Sequence, residues 1–177
     1  MRSVFAFVFL LLGAFPVRAR EIKLAEGRVS LEVPDAFTPL TKEEIRIKYP
    51  SVNAPGFVVG NETRGVSIAY ELKDAGMPAA MMVDGELPNA MKSFVAVFDR
   101  VIPGIQWIRK EVVERDGKRW IHLELTSNAI DQDIHNIRWI TFFEKKLLLF
   151  NFNSTKSAFP AHEKELRRCA ESIKLAK

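Results

Sequence analysis

The chain has 177 residues, with 26 Lys and Arg against 22 Asp and Glu, 47% apolar residues and one cysteine. That length corresponds to about one domain, large enough to bury roughly 68–70% of its unfolded surface without covalent staples. A single cysteine excludes an internal disulfide and any thiolate zinc or iron–sulfur centre, and a formal charge of +4 is too small for a nucleic-acid groove.

Residues 1–19 read as a secretory signal peptide. Arg2 supplies the positive start, Val4 to Leu12 is an unbroken apolar run, and Gly13 and Pro16 precede the small-residue site formed by Val17 and Ala19. Cleavage is expected after Ala19, with the remaining chain in the periplasm or outside the cell. A membrane span needs about 20 apolar residues. This run is shorter and is followed by Pro16, Arg18, Arg20, Glu21 and Lys23, so no span is expected once it is removed. No cysteine follows it for lipid attachment, and losing Arg2 and Arg18 lowers the formal charge from +4 to +2.

Residues 20–177 show no linker, repeat or charge block and read as a single domain. Ile22–Leu24 and Val29–Val33 flank the turn pair Glu26-Gly27, and Val29, Leu31 and Val33 alternate with polar neighbours as in a half-buried strand. Thr41-Lys42-Glu43-Glu44 has capping-box spacing and predicts a short helix to Lys48, stopped at Tyr49-Pro50. Phe57–Gly60 and Val66–Leu72 predict a hairpin, and Met77, Met81 and Met82 then fall in a Gly- and Pro-bearing stretch. From Pro88 to Ile102, Met91, Phe94, Val95, Phe98, Val101 and Ile102 recur every three or four residues, the mark of an amphipathic helix.

Asp116-Gly117 joins strands Gln106–Arg115 and Lys118–Thr126, and Glu144-Lys145-Lys146 joins Ile137–Phe143 to Leu147–Phe152. Leu147–Phe150 is apolar on successive residues, which predicts a central strand covered on both faces. A last helix, entered through Ser157 and Pro160, carries Leu166, Cys169, Ala170 and Ile173 on one stripe, with Arg167 and Arg168 expected to point away from it. Hairpin connections dominate. The expected class is therefore α+β, a mainly antiparallel β-sheet sandwiched by helices, and a doubly wound nucleotide-binding fold is excluded by the missing strand–helix alternation and Gly-rich turn.

This element order, with the entry Val29-Ser30-Leu31-Glu32-Val33-Pro34-Asp35-Ala36-Phe37, resembles the PsbP-like superfamily, which includes the bacterial DcrB-like proteins. The resemblance implies an α/β/α sandwich and non-catalytic binding or assembly modules, among them extrinsic photosystem subunits, a binder of the GTPase Ran and chaperone-like proteins for secreted effectors. It transfers no functional residue.

The residues themselves offer little catalytic chemistry. Gly65-Val66-Ser67 continues into a strand, so there is no nucleophile elbow. His122 is expected as a hydrogen-bonded imidazole on a hairpin face, and His162 at the surface in the first turn of the last helix. Asn128, Asp131, Asp133, His135 and Asn136 are expected in one loop, where Asp131, Asp133 and His135 at alternate positions are weak candidates for a divalent-metal site. The glycine and terminal glutamate of a calcium loop are missing.

Cys169 reads as a buried inert thiol and Trp107, Trp120 and Trp139 as core, with a shared ring-lined surface as the alternative. Met77, Met81 and Met82 are the candidates for contact with a partner, since methionine adapts to varied apolar surfaces. Asn61-Glu62-Thr63 and Asn153-Ser154-Thr155 are glycosylation sequons in a host that uses them. The expected function is an exported, non-enzymatic binding or assembly module of the cell envelope, without a cofactor, whose partner is another protein or a small ligand. The alternatives are a metal-dependent periplasmic protein or enzyme using residues 131–135, and an immunity or chaperone-like protein for a secreted effector.

Overall fold

A computed structural model describes residues 18–50, 54–128 and 132–176. Ten strands and three helices follow in the order β1 (Ala19–Leu24), β2 (Val29–Pro34), β3 (Thr38–Pro39), α1 (Lys42–Lys48), β4 (Phe57–Gly60), β5 (Val66–Lys73), α2 (Leu87–Val101), β6 (Gln106–Arg115), β7 (Lys118–Ser127), β8 (Ile134–Phe143), β9 (Lys146–Thr155), α3 (Phe159–Glu171) and β10 (Lys174–Leu175). Seven strands form the main sheet in the order β3-β4-β5-β9-β8-β7-β6, with antiparallel pairing throughout, and β1-β2-β10 form a small second sheet. The α+β class is as the residue pattern predicts.

Local chemistry accounts for the boundaries. Thr41 caps α1 with a full capping box, its hydroxyl accepting from the Glu44 amide while the Glu44 carboxylate accepts from the Thr41 amide. Asp116 and Gly117 both take positive φ (52° and 72°), the geometry of a type I′ turn that matches strand twist and favours Asp-Gly. Glu144 and Lys145 adopt the same geometry (50° and 56°), so the loop between β8 and β9 has two residues and Lys146 opens β9. The two short strands β3 and β10 carry no period-two signal and escape the sequence reading.

Strand alternation gives the main sheet two different faces. On one, Ile68, Trp120, Ile137, Trp139, Leu148, Phe150 and Phe152 pack against the small sheet and against Leu166, Cys169 and Ala170 of α3. Burial pushes the Cys169 thiol up to about 12, which makes it an inert core residue. Arg115 lies over the rings of Trp139 and Trp120, at 4.8 and 5.6 Å from their centroids, and donates to the carbonyls of Ala170 and Ile173 where α3 ends.

On the other face α2 covers Ile121, Leu123, Ile140, Phe142 and Leu147 through Leu87, Ala90, Phe94 and Phe98. Met77 and Met82 pack against this same cluster. Val101, expected on the buried stripe, is 63% exposed, in the same i, i+4 row as Val97, which is also exposed, so this row lies on the outer flank of the helix. A third, small cluster joins Leu40, Val58 and Ala69 to Ile45 and Tyr49 of the α1 region.

Candidate functional site

Between the territories of α1 and α2 the second sheet face changes character. The register aligns Asn136, Asn153 and Ser67 across β8, β9 and β5, and in the next row Arg138, Asn151 and Ala69. A polar patch thus occupies the middle of the sheet, on its central strands. A cavity of about 460 Å³ opens over it, floored by Ser127, Asn136, Arg138, Asn151 and Asn153 and walled by Leu40, Ile47, Lys48, Tyr49 and Ile102. That volume falls within the range of about 300–1,000 Å³ typical of small-molecule sites.

The hydrogen bonding of this floor is incomplete. Asn153 Nδ2 donates to Asn136 Oδ1 at 2.8 Å. Ser127 Oγ, Arg138 Nε and Asn151 Oδ1, all on residues that line the cavity, are buried with no partner among the described residues, and the Tyr49 and Ser67 hydroxyls face one another. Three more such atoms, Arg115 Nε, His122 Nε2 and Trp139 Nε1, lie on the opposite face, under α3. A buried polar atom left without a partner costs about 1–3 kcal/mol, so those on the cavity-lining residues leave unused hydrogen-bonding capacity beside the cavity.

Charge points the same way. Glu44, the carboxylate lining the cavity, is held by Arg64 at 2.9 Å, and Lys48 Nζ donates to the Arg64 carbonyl. No carboxylate among the described residues forms an ion pair with Arg138, whose guanidinium lies 4.4 Å from the Phe98 ring centroid. Burial pushes Arg138 down to about 10, against the opposing pull of Tyr49 and Glu71, so it stays charged at neutral pH. Burial likewise pushes the Tyr49 phenol up.

Of the residues singled out in the sequence, Asn136 and Asn153 lie on the cavity floor, while the metal candidates lie elsewhere. Asp131 is outside the described residues. His135 and Asn136 belong to β8, not to a loop, because the strand starts three residues before the apolar run that marks it in the sequence. Asp133 is exposed and faces Lys156 at 4.0 Å, whereas His135 is buried and its Nε2 is 2.8 Å from Glu124 Oε1, its ring stacked on Phe159. Among the described residues no group of three His, Cys, Asp or Glu side chains could hold a metal ion. Met81 is 47% exposed beside an equally exposed Val83, while Met77 and Met82 are half-buried. Asn153 is buried inside β9, which removes the second sequon from glycosylation in the folded chain.

Trp107 stacks on Phe98 under α2, on the face opposite Trp120 and Trp139, so the three tryptophans share no surface. His122 is stacked on Trp139, but its Nε2 has no hydrogen-bond partner and its Nδ1 is 3.6 Å from Glu111, so the expected hydrogen-bonded imidazole is not found. Arg167 does not point away from α3's buried side. It forms a two-pronged contact with Glu124, at 2.8 and 3.2 Å, and pins the helix to the sheet.

No family model and no curated protein sequence matches the chain. Solved structures do, and the layers and strand order described above define a PsbP-like fold. CyanoP, the PsbP of Synechocystis sp. PCC 6803, is similar with a TM-score of 0.60 at 13% identity, over 92% of this chain and 95% of that one. The Ran-binding protein Mog1p of Saccharomyces cerevisiae gives 0.57 at 12% identity, over 91% and 97%. LpqN of Mycobacterium tuberculosis, involved in cell envelope biogenesis, gives 0.53 at 12% identity, over 90% and 91%.

The α3 face sets the acid response of the fold. Burial, then the charge of Arg109, pushes His122 down to about 4. Burial raises the Glu124 carboxyl, but hydrogen bonds from His135 and Arg167 outweigh it and hold Glu124 at about 2. Both groups bind protons more readily in the unfolded chain, so both destabilise the fold as pH falls: His122 between pH 6.5 and 4, Glu124 between pH 4.5 and 2. Denaturant titrations at a series of pH values should show a loss of about 2–3 kcal/mol in each window. His122→Phe should flatten the upper window and leave the lower one. An unchanged upper window in that variant would assign the acid response to other groups.

Proposed function

We propose that the chain is an exported, non-catalytic binding module of the cell envelope and that its binding site is the cavity between α1 and α2. The observation that carries this is the set of unpartnered buried polar atoms on the cavity floor. Beside an open cavity such atoms offer hydrogen-bonding capacity that a bound molecule can use. The likeness to a Ran-binding protein and to an envelope protein supports a binding role in the same class of scaffold. Met81 and Val83 add an exposed apolar edge at which a protein partner can be accommodated.

Export rests on residues 1–19. Cleavage after Ala19 leaves Arg20 as the first residue, and its guanidinium donates to the carbonyls of Asp35 and Phe37, so the new terminus is tied to the chain that follows β2. No helix among the described residues is long and apolar enough to cross a membrane.

Two measurements test these statements. N-terminal sequencing of the protein recovered from the envelope fraction should read Arg20-Glu21-Ile22, and recovery of the uncleaved chain from the cytosol would contradict export. For the site, Ile47→Trp places a large ring at the cavity rim on an exposed position of α1. Native mass spectrometry of protein isolated from envelope extracts should show a bound species on the wild type, reduced about ten-fold or more by this variant. Equal recovery of that species by both forms, or a bare wild-type chain, would contradict the cavity as the binding site.

A further inference from the structure

Resting on that reading, we propose that the cavity takes the carboxylate of an unbranched alkyl chain, its head on Arg138 and its tail in the neighbouring groove beneath α2. A second cavity of about 550 Å³ lies beside the first, and Tyr49, Arg138 and Asn151 line both. The Arg138 side chain therefore borders both spaces. The second is mainly apolar, bordered by Met77, Phe94, Val97, Phe98, Leu147 and Leu149. Its lone carboxylate, Glu71, is engaged by Lys73 at 2.5 Å. Polar groups crowd at one end and apolar side chains at the other, which is the distribution of an amphipathic anion.

The head group follows from the donor set. The planar Arg138 guanidinium suits a carboxylate, which accepts two parallel N–H bonds, and the side-chain amide of Asn136 lines the same cavity. A phosphate calls for several cations, but Arg64 is occupied by Glu44, the Thr38 hydroxyl and the Gly60 carbonyl, which leaves Arg138 with only Lys48, one of whose three N–H donors is spent on the Arg64 carbonyl. The tail follows from the backbone. β8 and β9 are paired on both sides along their length, so the floor offers no free N–H or C=O groups to an extended peptide. An alkyl chain needs none, and Met77 in the wall adapts to its shape.

Calorimetric titration of the purified chain with decanoate, decan-1-ol, decyltrimethylammonium and acetate tests this. One decanoate should bind per chain, about ten-fold or more tightly than decan-1-ol, with no detectable binding of the cation or of acetate. Arg138→Met should weaken decanoate about ten-fold or more while leaving decan-1-ol unchanged. Val97→Asp, on the exposed flank of α2 where folding is not at stake, should weaken both, and Ile108→Ser on β6 neither. The proposal is overturned if decan-1-ol binds as tightly as decanoate, if Arg138→Met binds decanoate like the wild type, or if Ile108→Ser weakens it as much as Val97→Asp. If decanoate fails while Ile47→Trp still strips the species bound in the envelope, the ligand class is wrong and the cavity stands. If Ile47→Trp changes nothing, the cavity itself is wrong.

Discussion

Strand β9 is hydrogen-bonded to β5 on one side and β8 on the other over nearly all of its ten residues. Its backbone is satisfied by that pairing, and a slip of one residue in register would turn Phe150 and Phe152 out of the core. This places the sandwich's two faces in fixed positions. Leu148, Phe150 and Phe152 go to the α3 side, and the alternate residues Leu147, Leu149, Asn151 and Asn153 go to the other. The change from leucine to asparagine along that second row marks where α2's apolar cover ends and the polar cavity floor begins.

Both sides of the sheet contain buried charge, handled in opposite ways. On the α3 side Glu124 has His135 and Arg167 as partners, and Arg115 has backbone acceptors and two indole rings. Burial is offset there by hydrogen bonds, so the charges hold α3 in place. On the α2 side Arg138 has an aromatic neighbour but no ion-pair partner among the described residues, and the atoms around it are left with unused hydrogen-bonding capacity. Desolvating a charge without a partner is unfavourable. The same sheet thus carries charges that the fold pairs on one face and, on the other, a charge without an ion-pair partner among the described residues.

Much of the architecture is legible in the sequence because it rests on local signals: the Thr41–Glu44 capping box, Asp116-Gly117, the three-and-four spacing of α2 and the apolar run of β9. The site is not, for two physical reasons. Its residues are ordinary ones, asparagine, serine, tyrosine and a lone arginine, and their meaning comes from lateral register between strands far apart in the chain. Asn136 and Arg138 also alternate with Ile137 and Trp139, a pattern that normally marks a strand with one face in water. The clue available was that Asn151 and Asn153 continue a strand already identified as central, where polar residues face either a partner or a ligand. The pairing of Glu124 with Arg167 spans 43 positions and has no local signature.

The central claim is that Arg138 is retained for a bound molecule and not for the fold. Its direct test is the ligand-free stability of Arg138→Met, measured by equilibrium denaturation against the wild type. Methionine keeps the contact with Phe98 and removes a desolvated charge, so the variant should be as stable as the wild type or more so, by up to about 2 kcal/mol. A loss of about 3–5 kcal/mol, the signature of breaking a buried ion pair, would show that Arg138 is a structural charge and contradict the claim.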